Sequence, residues 1–162
     1  MKNLIALLFL IVLANSTFAE MQEGKVTAVI DGNTLEVTDQ DKEIHRIQLT
    51  GIDCPELNQE YGDQAKVFLS KLILNKKVTF QITGKDRLGN RLAIVLINDT
   101  RDIRMDLLKE GLAWTTERNP DPELEPLRQS AAASRKGLWS LENPTAPWIF
   151  RRQQTMLVPK ES

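Results

Sequence analysis

Five short stretches of alternating apolar and polar residues, with one helical spacing inserted after the third, limit what this chain can fold into. Val26, Ala28 and Ile30 alternate with Lys25, Thr27 and Val29, so Gly24 to Ile30 reads as a half-buried strand. Asp31-Gly32-Asn33 supplies turn chemistry, and Thr34 to Thr38 repeats the alternation with Leu35 and Val37. After a polar turn from Asp39 to Lys42, Ile44 to Leu49 forms a third strand. Ala65, Phe68, Leu69 and Leu72 then recur at helical spacing, predicting an amphipathic helix from about Gly62 to Leu74. Two further strands, Lys77 to Ile82 and Arg91 to Ile97, flank a turn from Gly84 to Asn90. That order predicts a mainly β fold with helices: a five-stranded OB-fold barrel, whose outer groove suits oligonucleotides or oligosaccharides.

Two more helices bring the helical count to about three. Asp102 is a plausible cap for Ile103 to Glu110, which Gly111 ends. Asp121-Pro122 gives a cap-and-first-turn signal for a helix running to about Lys136, before Gly137. Trp139, Trp148, Pro144 and Pro147 read as a C-terminal strap whose aromatics pack on the domain rather than stack on bases. From Gln153 onward the pattern lacks periodicity and reads as a loose tail over 153–162.

Before the strands, Lys2 precedes an unbroken apolar run from Leu4 to Leu13, and small and polar residues end in Thr17, Phe18 and Ala19. That order predicts a signal peptide over 1–19, cut after Ala19, rather than an anchor, because about ten apolar residues are half a bilayer span. The expected product is exported, periplasmic or secreted, with no membrane segment in the mature form. One domain over 20–152, expected to be a monomer, fits the remaining length. Removing Lys2 lowers the basic count from 21 to 20 against 22 acidic residues, so a broad basic sleeve is excluded while a local cleft is not. Cys54 is the only cysteine, which excludes an internal disulfide and predicts a shielded thiol.

On the third strand His45 falls on the Ile47 face, and Arg46, Gln48 and Thr50 share the other. The lone His45 therefore reads as a residue at the barrel end without a chemical role. Around these strands stand Val29-Ile30-Asp31-Gly32-Asn33-Thr34-Leu35, Ile47-Gln48-Leu49-Thr50-Gly51-Ile52-Asp53-Cys54-Pro55-Glu56 and Asp86-Arg87-Leu88-Gly89-Asn90-Arg91-Leu92-Ala93. With Tyr61-Gly62, Glu110-Gly111-Leu112-Ala113 and Lys136-Gly137-Leu138-Trp139, these segments closely resemble the staphylococcal nuclease (thermonuclease-like) family over about residues 24 to 140.

The resemblance implies an OB-fold and, in active members, a calcium-dependent phosphodiesterase acting on DNA and RNA. It implies a metal site at Asp31, Asn33 and Asp53, a water-activating base at Glu56, and phosphate-gripping positions at Gln48 and Asn90. Hard calcium prefers oxygen ligands, and bidentate guanidinium suits a phosphate whose charge grows in the transition state. Asp31, Asp53 and Glu56 match the active pattern. The second metal ligand, an Asp in active relatives, is Asn33, and their two arginines are Gln48 and Asn90. Arg46, on the Gln48 face, is the neighbour that could supply a cation, whereas Arg91 should point to the opposite face and Arg87 sits in the turn.

The expectation is an exported, catalytically impaired relative that binds single-stranded DNA, RNA or another polyanion, with calcium held weakly if at all. A divergent calcium-dependent endonuclease using Arg46 and a cell-envelope interaction scaffold are the alternatives.

Overall fold

A computed structural model describes residues 21–157. The signal-peptide expectation for 1–19 and the end of the tail, 158–162, lie outside the described residues.

Three antiparallel strands open the barrel: β1 (Met21–Val29), β2 (Thr34–Asp39) and β3 (Ile44–Leu49). A two-residue strand, β4 (Ile52–Asp53), leads to helix α1 (Gly62–Ile73), and β5 (Lys77–Lys85) and β6 (Arg91–Ile97) follow. β1 pairs with both β2 and β5, β5 pairs with β6, and β3 closes the ring against β6 in parallel. The closed five-stranded mixed barrel is the one expected from the strand and helix order. Alternation is the cause: Val26, Leu35, Val37, Ile47, Leu49, Phe80, Ala93 and Val95 all point inward and are essentially inaccessible. Each fully buried side chain of this kind contributes about 1.5–3 kcal/mol. Irregular pairing at Val26/Ala28 and Ile82/Gly84 lets β1 and β5 bend around the small barrel.

The amphipathic face of α1 buries Ala65, Leu69 and Ile73 against this core. After β7 (Arg101–Asp102), α2 (Ile103–Lys109) is capped by Asp102, which accepts from the Arg104 backbone N–H. The buried Arg104 guanidinium also bonds Asp102 at 2.6 Å and donates to the Thr50 carbonyl at 3.2 Å, tying α2 to the segment that leads into Asp53. The two-residue β8 (Trp114–Thr115) pairs with β4, which sets Asp53 opposite Trp114.

Helix α3 (Glu125–Ala133) begins later than the Asp121-Pro122 signal suggests. Asp121 instead caps a turn: its carboxylate accepts from Glu123 N–H at 2.9 Å, and its carbonyl from Leu124 and Glu125. A short 3-10 turn, Gly137–Ser140, carries Trp139 under Arg128, whose guanidinium lies 5.3 Å from the ring centroid. The strap differs most from expectation. It contains a fourth helix, α4 (Pro147–Leu157), which runs through 153–157, where a loose tail is expected. Pro147 at its first position is pre-organised for a helix start, and Trp148 docks edge-on against Trp114 at 5.6 Å. The strap's aromatics thus pack on the domain, as the sequence suggests, but on a helical frame.

Candidate functional site

Local packing fixes where the acidic residues can sit. The Asp31 carboxylate accepts from the Asn33 backbone N–H at 2.9 Å, an Asx turn that joins β1 to β2. Gly32 is needed here: a Cβ at this position would stand 2.6 Å from Cys54 Cβ and 2.8 Å from Ala65 Cβ. The turn therefore presses onto the segment that carries Asp53. Glu56 is held by a second glycine contact, since a Cβ on Gly62 would lie 1.9 Å from the Glu56 carbonyl oxygen. Glu56 also donates its backbone N–H to Gln59 Oε1 at 3.2 Å, while Gln59 Nε2 donates to the Thr145 carbonyl at 2.6 Å. The Tyr61 hydroxyl meets Ser140 Oγ at 2.9 Å. The loop bearing Glu56 is thus tied to the chain just ahead of α4.

That tie brings in a residue the sequence does not single out. Trp148 and Arg151, three apart on α4, share a face. With Trp148 on Trp114, the strand partner of Asp53, Arg151 lands over the acids. Its Nη1 donates to Asp53 Oδ1 at 3.1 Å and to Glu56 Oε1 at 2.7 Å, and its Nη2 donates to Asp53 Oδ2 at 2.7 Å. The next residue, Arg152, pairs with Glu117 at 3.0 Å.

Electrostatics follow from this arrangement. Burial pushes the Asp53 carboxyl above its usual range, with Glu56 and Asp31 adding to the rise and Arg151 opposing it. The bonds to Asp53 raise the already high affinity of the Arg151 guanidinium for its proton. Cys54, wholly buried behind Asp53, has its thiol pushed well up by burial and by the neighbouring aspartates, which leaves it inert as a nucleophile.

The positions expected to grip phosphate fare differently. Gln48 is half-buried, in register with Thr34 on β2 and Leu92 on β6, so it does lie beside the Asn33 turn. Asn90 is spent on its own turn: its Nδ2 donates to Asp86 Oδ2 at 2.7 Å and its N–H to Asp86 Oδ1 at 2.8 Å. Arg46 is exposed and in register with Glu36. Arg91 points away, to the ring of His45, as alternation predicts. The cation bonded to the acids is therefore Arg151, a residue that the sequence reading does not name. Nothing local in the sequence marks Arg151, because the contacts span 98 and 95 residues.

His45 is more engaged than a bystander. It is buried, its Nε2 lies 2.6 Å from Asp39 Oδ2, and its ring stands 5.5 Å from Phe80. The bond to His45 holds the Asp39 carboxyl below its usual range. Among the described residues, the one grouping of three His, Cys, Asp or Glu ligand atoms within 4.8 Å of one another is Asp39, Glu43 and His45. Two of the three already engage each other through the His45–Asp39 contact, and Asp39 Oδ1 also accepts from the Glu43 backbone N–H at 2.9 Å.

The same test decides how far Asp31, Asn33 and Asp53 suit calcium. Their oxygens are of the right chemical kind. Yet both carboxylate oxygens of Asp53 are taken by Arg151, and Asn33 brings a buried amide, 5% exposed, whose Nδ2 has no hydrogen-bond partner among the described residues. As arranged, Asp53 and Glu56 hold a guanidinium, and while they do the set does not fit a divalent cation.

Comparison with known proteins agrees with the barrel and the motifs. Residues 46–141 match the family model described as staphylococcal nuclease homologue. An "uncharacterized endonuclease" of Escherichia coli O157:H7 is 37% identical over 132 residues, covering 81% of this chain and 86% of the relative. An "uncharacterized endonuclease" of Haemophilus influenzae is 31% identical over 152 residues, covering 93% of this chain and 85% of the relative. The "probable staphylococcal-like nuclease CAN1" of Oryza sativa subsp. japonica is 35% identical over 111 residues, 68% of this chain and 33% of that protein. With the matched barrel, the turn of Asp31 and the run from Gly51 to Glu56 in place, this chain belongs to the staphylococcal nuclease homologue family.

Proposed function

We propose that the protein is an exported, nucleic-acid-binding domain of the nuclease fold in which phosphodiester hydrolysis is impaired. The observation that carries this is the replacement of charge at three positions: Asn33, Gln48 and Asn90 are neutral amides, and the Asn90 amide is bonded into its own turn. Losing one preorganised charge stabiliser commonly costs about 10²–10³ in rate, so losing two phosphate-gripping cations costs about 10⁴–10⁶, with incomplete additivity. Single-stranded DNA or RNA fits the open outer groove of such a barrel better than duplex does. Export is motivated by the signal-peptide order of residues 1–19.

A divergent calcium-dependent endonuclease is the second reading. It is favoured by the proximity of Asp31, Asp53 and Glu56 and by the endonuclease names of the relatives.

One assay separates the readings. The protein is incubated with single-stranded DNA and with RNA in calcium and in chelator, and binding is followed over a salt series. The proposal expects background cutting in both conditions and binding that weakens steeply with salt as phosphate contacts are lost. Cutting that stops on chelation and on Glu56→Gln supports the endonuclease instead, and no binding at low salt supports a protein-interaction scaffold.

A further inference from the structure

We propose that Arg151 is the resident cation of this site: it takes the carboxylates of Asp53 and Glu56 that a divalent metal would need, and helix α4 thereby keeps calcium out until it lifts. The competition is stoichiometric. Three N–H···O bonds of 2.7–3.1 Å engage both oxygens of Asp53 and one of Glu56, so a metal approaching Asp53 meets bonded oxygens with a fixed positive charge beside them. The match is also electrostatic. A fixed positive charge brought to clustered carboxylates does part of what an ion does there, and its presence repels a second cation.

The helix is built to come away. Ala146 and Pro147 are buried and Trp148 rests on Trp114, but Arg151 to Met156 are all exposed. Beyond the first turn, what ties α4 to the domain among the described residues is ionic: Arg151 to the acids and Arg152 to Glu117. The Arg152–Glu117 pair, exposed on both sides, is worth little, so the far end of α4 is held mainly by Arg151 on the acids. The Arg151 side chain is 48% exposed, whereas that of Asp53 is 14% exposed. The buried partner is thus the metal-ligand position and the accessible partner is the displaceable one. Such a contact can be exchanged for a metal, or for a phosphate that draws Arg151 to itself.

This competition holds whether or not the domain hydrolyses nucleic acid, so its test reads calcium alone. Calcium chloride is titrated into the full-length protein by calorimetry for the native chain and for Arg151→Gln, Arg151→Lys, Arg152→Gln and Trp148→Ala. Arg151→Gln should bind calcium at least about tenfold more tightly than the native protein, because one opposing charge is gone. Arg151→Lys and Arg152→Gln should stay near the native affinity. Trp148→Ala, which frees the helix without touching a carboxylate, should move in the direction of Arg151→Gln, and it carries the same reading if that variant does not fold. A calcium affinity in Arg151→Gln no higher than native overturns the proposal, whether both bind or neither does.

Discussion

The guanidinium of Arg151 grips both carboxylate oxygens of Asp53, 98 residues away in the chain, at 3.1 and 2.7 Å. One partner is mostly buried and the other half-exposed, so the pair lies between a surface ion pair, worth about 0–1 kcal/mol, and a buried one, whose breakage costs about 3–5 kcal/mol. Arg151→Ala should therefore destabilise the protein by about 1–2 kcal/mol at neutral pH. Because burial already raises the Asp53 carboxyl, its charged form is the costly one, and the stability it contributes is present in acid and lost as pH rises through its raised value. Without Arg151 that penalty grows. Urea denaturation at pH 7 and pH 4 should show the Arg151→Ala deficit shrinking at the lower pH.

Glu125 sets the acid limit in the opposite sense. Arg128, with help from Thr115 and Gln129, holds its carboxyl down to about 2 from an ordinary 4.5. A depressed value means that its contribution is fully present above pH 4.5 and disappears as pH falls toward 2. Thermal midpoints measured from pH 7 to pH 2.5 should fall less steeply below pH 4.5 in Glu125→Gln, which starts from a lower midpoint at neutral pH.

Two glycines hold the acidic loops in place, and neither should tolerate a methyl group. In Gly62→Ala the new Cβ meets the Glu56 carbonyl at 1.9 Å, and in Gly32→Ala it meets Cys54 and Ala65 below 3 Å. Backbone must shift at both sites, costing about 2–4 kcal/mol. Chemical denaturation is the measurement. A change under 0.5 kcal/mol, within the range of an ordinary surface substitution, would contradict the packing described.

Asn33 stands where the family resemblance implies a carboxylate in active relatives. Asn33→Asp would place a charge in a site that is 5% exposed and already crowded with Asp31, Asp53 and Glu56. The variant should lose about 1–3 kcal/mol of stability in chelator. Combined with Arg151→Gln, it should recover most of that loss in millimolar calcium, read as a shift in thermal midpoint.

The barrel was legible because its cause is local: alternation at Val26, Leu35, Val37, Ile47 and Leu49 states which face of each strand is inside. The acids were legible through the family resemblance, because Asp31, Asp53 and Glu56 lie in the compact runs that carry it. Helix α4 was not, because Trp148, Ile149 and Phe150 are adjacent rather than spaced along a face, and a polar run follows. Its one local signal was Pro147 at the helix start. Arg151 is placed by a tertiary contact between Trp148 and Trp114, which no periodicity encodes. The late start of α3 has a similar origin, since the Asp121 cap closes a separate turn before Glu125 is free to bond Thr115 at 2.5 Å.

The most direct measurement is the initial rate of single-stranded DNA cleavage in calcium by the native protein and by a variant carrying Asn33→Asp, Gln48→Arg, Asn90→Arg and Arg151→Gln. Restoring one carboxylate and two guanidinium groups while removing the occupying arginine should raise the rate by about 10⁴ or more over a native background indistinguishable from chelator. Native cleavage as fast as the variant's, and abolished by chelation, would contradict the account.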